Sequence, residues 1–258
     1  MIIFKRKTTN FRLVQNRTFR FVIRTYYAGE HKFFNMNLPE LVKTSDGSDT
    51  LYLSEIDEHF HSTHGAIQES NHVFIVAGMR TCKKQSLTIF EVGFGTGLNA
   101  YLTILEAITK GIIIRYITVE KYPLPKGIWE SLNYPHLIEN ENSRFFEDIH
   151  EAPWNQEVNI SHFFSILKLS ADLTNLVLST LPIFDLIYYD AFSPEKQPEL
   201  WETSVFKQLA DHCNPEAKIV TYCAKGAVRR SLKEAGFVPE RIPGPPGKRE
   251  MLRGTKSK

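Results

Sequence analysis

Cysteine is scarce in this chain. The 258 residues include three cysteines, Cys82, Cys213 and Cys223, and no two of them form a C-x-x-C pair. This count excludes a disulfide-rich scaffold and a cysteine-based zinc site, and it favours reduced, buried thiols. Apolar residues make up 42% of the sequence, but no apolar run is long enough to span a bilayer. A secretory leader is missing as well, so we expect a cytoplasmic protein without membrane contact.

Acidic residues are scarce near both ends. Residues 1–35 contain eight Lys or Arg and a single acid, whereas the remainder contains 23 basic and 28 acidic residues. Residues 218–258 are basic again, with eleven Lys or Arg against three acids. A basic face on an acidic body suggests a polyanionic partner, and a solvated charged surface is the alternative. We expect a weakly ordered basic extension over 1–35, a hairpin and helical lead-in over 36–80, and the main domain over 81–258.

The main part of the chain alternates strand-like and helical segments. Seven strands are predicted, at 88–92, 114–119, 163–169, 184–189, 217–223, 237–242 and 249–253. Helices are predicted at 97–109, 126–132, 136–149, 173–179, 199–212 and 226–235. The segment Pro243-Gly244-Pro245-Pro246-Gly247 lies between the last two strands, which we expect to form an antiparallel hairpin. The order predicts an α/β, Rossmann-like fold with a mostly parallel seven-stranded sheet that ends in this hairpin.

A glycine-rich segment follows the first of these strands. It reads Glu91-Val92-Gly93-Phe94-Gly95-Thr96-Gly97-Leu98-Asn99. The spacing is G-x-G-x-G, so the third glycine comes one residue earlier than in the dinucleotide fingerprint. Glycine is needed where the backbone approaches a ligand so closely that a Cβ would clash. Glu91 suits the cationic amino acid moiety of S-adenosyl-L-methionine (SAM), and Thr96 and Asn99 can hydrogen-bond a polar ligand. The pattern therefore predicts a SAM site.

Three acids end strands of the predicted sheet. Glu120 follows the second strand, where its carboxylate can accept hydrogen bonds from ribose hydroxyls. Asp172 follows the third strand and suits the adenine amine, with helix capping as the alternative. Asp190 follows the fourth strand, where an acid can orient an incoming amine or take its proton. Because the carboxyl ends of parallel strands share one edge, we expect these acids to lie around the same ligand.

Candidate substrate-binding residues lie near the same edge. Phe192 and Pro194 follow Asp190 and can form the wall of a pocket for a flat base. Basic side chains there can bind phosphates. They are Lys225, Arg229, Lys248 and Arg249.

Three histidines, His59, His61 and His64, lie close together after a predicted hairpin that turns at Asp46-Gly47. The histidines suggest a metal site, but no carboxylate or cysteine completes a ligand set. We predict no metal and instead a loop that folds over the cofactor.

Taken together, these segments resemble the methyltransferase domain of the MnmC family, which completes 5-methylaminomethyl-2-thiouridine at the wobble position of certain tRNAs. The resemblance extends from about residue 41 to residue 254. It is strongest in the glycine segment, in Val119-Glu120-Lys121-Tyr122-Pro123-Leu124, in Asp190-Ala191-Phe192-Ser193-Pro194 and in Gly247-Lys248-Arg249-Glu250-Met251-Leu252.

The resemblance implies methyl transfer from SAM to the primary amine of 5-aminomethyluridine in tRNA. It implies that Asp190 lies at the reacting amine and that Lys248 and Arg249 lie near the tRNA. The residues that it assigns to the cofactor are Gly93, Gly95, Gly97, Glu120 and Asp172. Bifunctional family members carry a large FAD-dependent oxidase domain after this one, and we expect this chain to lack FAD. Other tRNA-modifying enzymes would then supply the aminomethyl substrate. A second departure is Ala191, where the family often has glycine.

Three other functions remain open from the sequence. An NAD-dependent oxidoreductase is disfavoured by the early third glycine and by the lack of a catalytic Tyr/Lys or Cys/His set. A methyltransferase of another amine substrate would share the same cofactor site. A non-catalytic RNA-binding module would also share the fold, but the acids at 120, 172 and 190 argue against it.

Overall fold

The strands predicted from the alternating segments form the central sheet of the protein. A computed structural model describes residues 38–138 and 144–257. The expected extension over 1–35 lies outside the described residues, and Pro39–Lys258 form one compact unit. Eight strands make up the sheet: β4 (Ser86–Val92), β5 (Ile113–Glu120), β6 (Glu157–Ser161), β7 (Phe164–Ser170), β8 (Phe184–Tyr189), β9 (Cys213–Thr221), β10 (Phe237–Pro243) and β11 (Glu250–Lys256). A separate small antiparallel sheet contains β1 (Glu40–Lys43), β2 (Asp49–Leu53) and β3 (Glu58–His59).

The strand order in the large sheet is β10-β11-β9-β8-β4-β5-β7-β6. The five central strands, β9, β8, β4, β5 and β7, are parallel, and β10 and β11 form the predicted antiparallel hairpin. The fold prediction is confirmed, with one strand more than the seven expected. The additional strand β6 pairs antiparallel with β7 at the sheet edge. Its sequence Glu-Val-Asn-Ile-Ser is short and half polar, so it gave a weak strand signal.

The helices lie on both faces of this sheet. They are α1 (Ala66–Ser70), α2 (Leu98–Lys110), α3 (Lys126–Trp129), α4 (Tyr134–Leu137), α5 (Phe145–Glu151), α6 (Thr203–Asp211) and α7 (Gly226–Glu234). A π-helical turn over Asn71–Val76 continues α1. The predicted helix over 136–149 is wrong as a single element, because α4 and α5 are separate helices. The helix predicted over 173–179 is also wrong, because the segment forms two 3₁₀ turns, Leu173–Asn175 and Leu178–Thr180.

Successive side chains of each strand point to opposite faces of the sheet, and this divides the core into two layers. Ile89 and Phe90 are adjacent in β4, point to opposite faces and are both completely buried. Ile89 belongs to the layer that contains Tyr101 of α2, and Phe90 belongs to the layer that contains Phe206 of α6. Parallel strands covered on both faces are typical of doubly wound α/β folds. This arrangement brings the carboxyl ends of β4, β5, β7 and β8 to one edge, where the candidate site lies.

Residues 38–138 and 144–257 contain no helix with the length and hydropathy needed to cross a membrane.

Candidate active site

The glycine segment forms the turn between β4 and α2. The Gly93 amide donates to the Val119 carbonyl at the end of β5 (3.0 Å), and the Asp190 amide donates to the Val92 carbonyl (3.0 Å). Gly97 has a φ of 73° and directly precedes α2. The backbone N–H groups at the start of this 13-residue helix have no partner within the helix. The turn therefore joins three strand ends to a helix terminus that favours a polar or anionic ligand.

The protein's own packing requires glycine at three positions of the turn. Gly93 has a φ of 86°, and a Cβ there would lie 2.8 Å from the Asp190 carbonyl oxygen. A Cβ on Gly97 would lie 2.6 Å from Nε2 of His150. A Cβ on Gly95 would lie 3.1 Å from the Phe60 ring. Side chains at these positions would collide with neighbouring residues, so only glycine allows the turn to pack this closely against them.

Glu120 lies beside this turn at the end of β5. Its carboxylate accepts one hydrogen bond from the Gly95 amide (3.1 Å) and one from the Tyr122 amide (2.8 Å). Each oxygen keeps a further acceptor direction, as binding a pair of hydroxyls requires. Burial raises the pKa of Glu120, and the backbone amides of Tyr122, Gly95 and Lys121 oppose that rise.

Asp172 lies at the end of β7, the strand next to β5. It forms an ion pair with Lys121 (2.9 Å) and accepts hydrogen bonds from the Thr174 amide (3.0 Å) and hydroxyl (2.7 Å). The hydrogen bond from Lys121 lowers the pKa of Asp172. The capping alternative is therefore realised, while adenine binding by Asp172 stays a prediction.

Asp190 lies at the end of β8, next to the glycine turn, and is half-buried. Asn99 of α2 donates a hydrogen bond from Nδ2 to Asp190 Oδ2 (2.8 Å). Burial raises the pKa of Asp190 to about 7, while the Asn99 hydrogen bond opposes the rise. Among the other nearby groups, Glu69 raises this pKa and Lys248 lowers it. A carboxyl with a pKa close to neutral is suited to accepting a proton at physiological pH.

The predicted cofactor residues Glu91, Thr96 and Asn99 are turned away from open space. Their exposures are 0%, 1% and 3%. The Thr96 hydroxyl bonds Nε2 of His61 (2.7 Å), and the Thr96 carbonyl bonds Nε2 of His150 (3.1 Å). Their side chains therefore shape the turn from behind, and direct contact of any of the three with a cofactor stays a prediction.

The two histidines that hold Thr96 come from different parts of the chain. His61 follows β3, and His150 belongs to α5. Burial lowers the pKa of His61 to about 4 and the pKa of His150 to about 3. Both are thus neutral at physiological pH and fix the glycine turn without adding charge to it.

The last strand of the small sheet and the segment that follows it cover this edge of the large sheet. Glu58 accepts a hydrogen bond from the Ser193 hydroxyl (2.9 Å), and the Phe60 ring packs edge-on against Phe192 (5.2 Å between centroids). The Phe60 ring also adjoins Gly95. These contacts agree with the prediction of a loop over the site.

The three histidines that the sequence brings together do not form one cluster in the structure. His59 packs on Tyr52, and His64 adjoins Gly247. Within the described residues, no group of three or more His, Cys, Asp or Glu could hold a metal ion.

Lys248 has a role that its sequence position did not indicate. Its ammonium group pairs with Glu69 of α1 (2.7 Å) and lies 4.0 Å from the centre of the Tyr222 ring. The Tyr222 hydroxyl donates to the Ala191 carbonyl (2.9 Å). Glu69 also accepts from the Ser62 amide (2.7 Å). This cluster joins the C-terminal hairpin to the loop after Asp190. A contact between Lys248 and tRNA stays a prediction.

We expect Lys248→Met to lower the free energy of unfolding by about 1–3 kcal/mol, because it leaves an oxygen of the buried Glu69 carboxylate without its donor. Urea denaturation measures the change. Lys207→Met is the matched control, because Lys207 pairs with Asp211 on the surface, where both side chains are more than 60% exposed. Such a pair contributes about 0–1 kcal/mol. Equal losses for the two variants would contradict the structural role of the Lys248 pair.

The remaining predicted substrate residues lie at the rim of this edge. Phe192 and Pro194 are half-buried, and the Phe192 carbonyl accepts from the indole of Trp201 (2.8 Å). Lys225 forms an ion pair with Glu195 in the loop after Asp190. The side chains of Arg229 and Arg249 are exposed. The sequence assigned no site role to His150, Glu69 or Tyr222, because their partners are distant along the chain.

Comparison with known proteins agrees with this architecture. The sequence profile of a family described as S-adenosyl-L-methionine-dependent methyltransferase matches residues 144–257. The chain is 32% identical over 217 residues to the tRNA 5-methylaminomethyl-2-thiouridine biosynthesis bifunctional protein MnmC of Ralstonia nicotianae, covering 78% of this chain and 32% of the relative. It is 33% identical over 220 residues to the protein of that name in Pseudomonas savastanoi, with the same coverage.

A solved structure gives the corresponding match in three dimensions. MnmC2 from Aquifex aeolicus superimposes with a TM-score of 0.67 and 24% identity, covering 85% of this chain and 71% of that one. At this identity the likeness establishes the fold alone. This chain spans about a third of the length of the curated relatives it matches.

Proposed function

We propose that this chain is a member of the MnmC-related SAM-dependent methyltransferases and that it methylates the primary amine of 5-aminomethyluridine at the wobble position of tRNA. The observation that carries the proposal is Asp190, a half-buried carboxyl held against the glycine turn by Asn99. The relatives are named for tRNA 5-methylaminomethyl-2-thiouridine biosynthesis, which supports tRNA as the substrate. We further propose that the protein acts in the cytoplasm and that other tRNA-modifying enzymes supply the aminomethyl group.

In this proposal the cofactor supplies an electrophilic methyl group. Gly93, Gly95 and Gly97 would let the backbone approach it closely, and Glu120 would accept hydrogen bonds from its ribose hydroxyls. Asp172, at the neighbouring strand end, would contribute at the adenine. The turn supports this assignment, because it carries no side chain at 93, 95 or 97 that could stand between its backbone and a ligand.

The residues around Asp190 would prepare the amine. An amine attacks carbon only through a free electron pair, so it must lose its extra proton before or during transfer. Asp190 would accept a hydrogen bond from the amine and then its proton, and the raised pKa suits both roles. Phe192 and Pro194 would form one wall for the uracil ring, and the packing of Phe60 on Phe192 would exclude water. Orientation of the two reactants supplies a large part of the rate enhancement in such a transfer.

The direct test is transfer of label from methyl-labelled SAM to tRNA from a strain that lacks the activity, followed by nucleoside analysis. We expect label in 5-methylaminomethyluridine or its 2-thio form, and none in tRNA from a wild-type strain. Label in a different nucleoside would overturn the substrate assignment. Binding of SAM without label in any nucleoside would direct the search to other amines or to a non-catalytic RNA-binding role.

We also expect the exposed arginines at the rim to contact tRNA phosphates. Arg229→Ala with Arg249→Ala should reduce the slope of log Kd against log salt by about one per lost phosphate contact. Filter binding at several salt concentrations measures this slope. Arg115→Ala is the control, because Arg115 already pairs with Glu157 at the far edge of the sheet (2.6 Å). An unchanged slope in the double variant would remove both arginines from the tRNA interface.

A further inference from the structure

Glu91 is a completely buried acid whose partners the proposed chemistry does not use. It lies in β4 between Thr118 of β5 and Tyr188 of β8, which are its neighbours in register. Neither carboxyl oxygen makes a hydrogen bond of normal geometry. The Thr118 and Tyr116 hydroxyls face the carboxyl closely enough to lower its pKa, and Tyr188 lies near it as well.

The side chain of Asn99 lies between Glu91 and Asp190. Its Nδ2 donates to Asp190, whereas its Oδ1 is buried and has no hydrogen-bond partner. Asn99 also adjoins the Glu91 carboxyl, and this contact lowers the pKa of Glu91 against the larger rise that burial causes. A buried acceptor without a donor costs about 1–3 kcal/mol, so a donor is expected beside it. A carboxylate offers no hydrogen, but a neutral carboxylic acid offers one.

We propose that Glu91 is a neutral carboxylic acid that donates its hydrogen to Asn99 Oδ1 and thereby keeps the Asn99 N–H group on Asp190. This makes Glu91 a positioning residue that acts through Asn99, in place of the cofactor contact predicted from the sequence. The inference rests on the proposed role of Asp190 as the base. Full burial and two unpartnered oxygens are what a charged carboxylate tolerates least. Burial raises the pKa of Glu91 to about 8, and the proximity of Asp190 adds to the rise.

The orientation of the Asn99 amide group affects the pKa of Asp190, because either Nδ2 or Oδ1 can face the carboxyl. With Nδ2 on Asp190, the amide stabilises the carboxylate and lowers its pKa. With the amide turned over, Oδ1 would face Asp190 and favour its protonated form. The neutral Glu91 hydroxyl selects the first orientation, because only then does it meet an acceptor. Glu69 raises and Lys248 lowers the pKa of Asp190 through their charges, and these two contributions do not depend on the orientation of the Asn99 amide.

The first experiment needs no turnover. The infrared difference spectrum of wild type minus Glu91→Gln, both without SAM or tRNA at pH 7, should show the carbonyl stretch of a protonated carboxylic acid. The subtraction removes the contributions of Asp190 and Glu120, whose pKa values burial also raises. A carboxylate band in place of this carbonyl stretch would overturn the proposal even if methyl transfer to tRNA is confirmed.

The second experiment separates the positioning role from folding. Glu91→Gln keeps a hydrogen donor for Asn99 Oδ1, so we expect turnover within about fivefold of wild type and the acid limb of kcat/KM at an unchanged pH. Glu91→Leu removes the donor, and we expect more than a tenfold loss of kcat with the limb moved to higher pH. A limb that moves to lower pH in Glu91→Gln would show that Glu91 carries a charge and would overturn the proposal. The infrared result decides the case if Glu91→Leu does not fold.

Discussion

Asp190→Asn is expected to lower kcat about 10²- to 10⁴-fold, the usual contribution of a positioned general base. Asparagine has nearly the same shape, and its Oδ1 can still accept the hydrogen bond from Asn99. It cannot take the proton that the amine must lose. Because Asp190 acts on the substrate, we expect the Kd for SAM to change by no more than about threefold, which is well below one tenfold step of 1.4 kcal/mol.

The pH profile gives an independent check on Asp190. Burial raises the pKa of this carboxyl to about 7. The deprotonated form is the base, so kcat/KM should fall as the pH drops through about 7, and this limb should disappear in Asp190→Asn. Asp211→Asn is the control, since Asp211 is exposed and pairs with Lys207 on α6. Full turnover of Asp190→Asn with SAM bound would show that this carboxyl only orients the site.

The site residues that the sequence predicted are those whose role depends on local geometry. A strand followed by alternating glycines and a helix has few conformations, so the turn at 93–97 and the start of α2 follow from spacing alone. Glu120 and Asp190 follow from one further rule, that parallel strands end at a common edge. The structure places both beside the turn, bonded to Gly95 and Asn99 respectively.

The contacts that the sequence could not supply join segments that are distant along the chain. His61 and His150 reach the same residue, Thr96, from elements on either side of the glycine turn. Glu69 and Lys248 are 179 positions apart, yet they form one ion pair. No local spacing encodes such pairs, because they arise only when the helices pack on the sheet. The position of Glu91 was predicted, but its environment was not, since burial depends on what α2 covers.

Gly93→Ala should weaken SAM binding, because it changes the turn where it packs against the backbone at the end of β8. An alanine at a φ of 86° is strained by about 1–2 kcal/mol. The added Cβ would also lie 2.8 Å from the Asp190 carbonyl oxygen, a backbone atom that cannot rotate away. Relief of this contact must move either the end of β8 or the glycine turn, and both carry site residues. We expect the Kd for SAM to rise at least about tenfold, equivalent to 1.4 kcal/mol, as measured by calorimetry.

Gly111→Ala isolates the contribution of the backbone strain to this effect. Gly111 ends α2 with a φ of 65°, and a Cβ there meets nothing within 4 Å. The Gly111→Ala variant should therefore be about 1 kcal/mol less stable, because alanine is strained in the left-handed conformation, and it should keep its affinity for SAM. If Gly93→Ala binds SAM as well as Gly111→Ala does, the close approach of the turn to Asp190 is not needed for the cofactor. If Gly93→Ala alone loses binding while remaining folded, the packing at the end of β8 and the cofactor site form one unit.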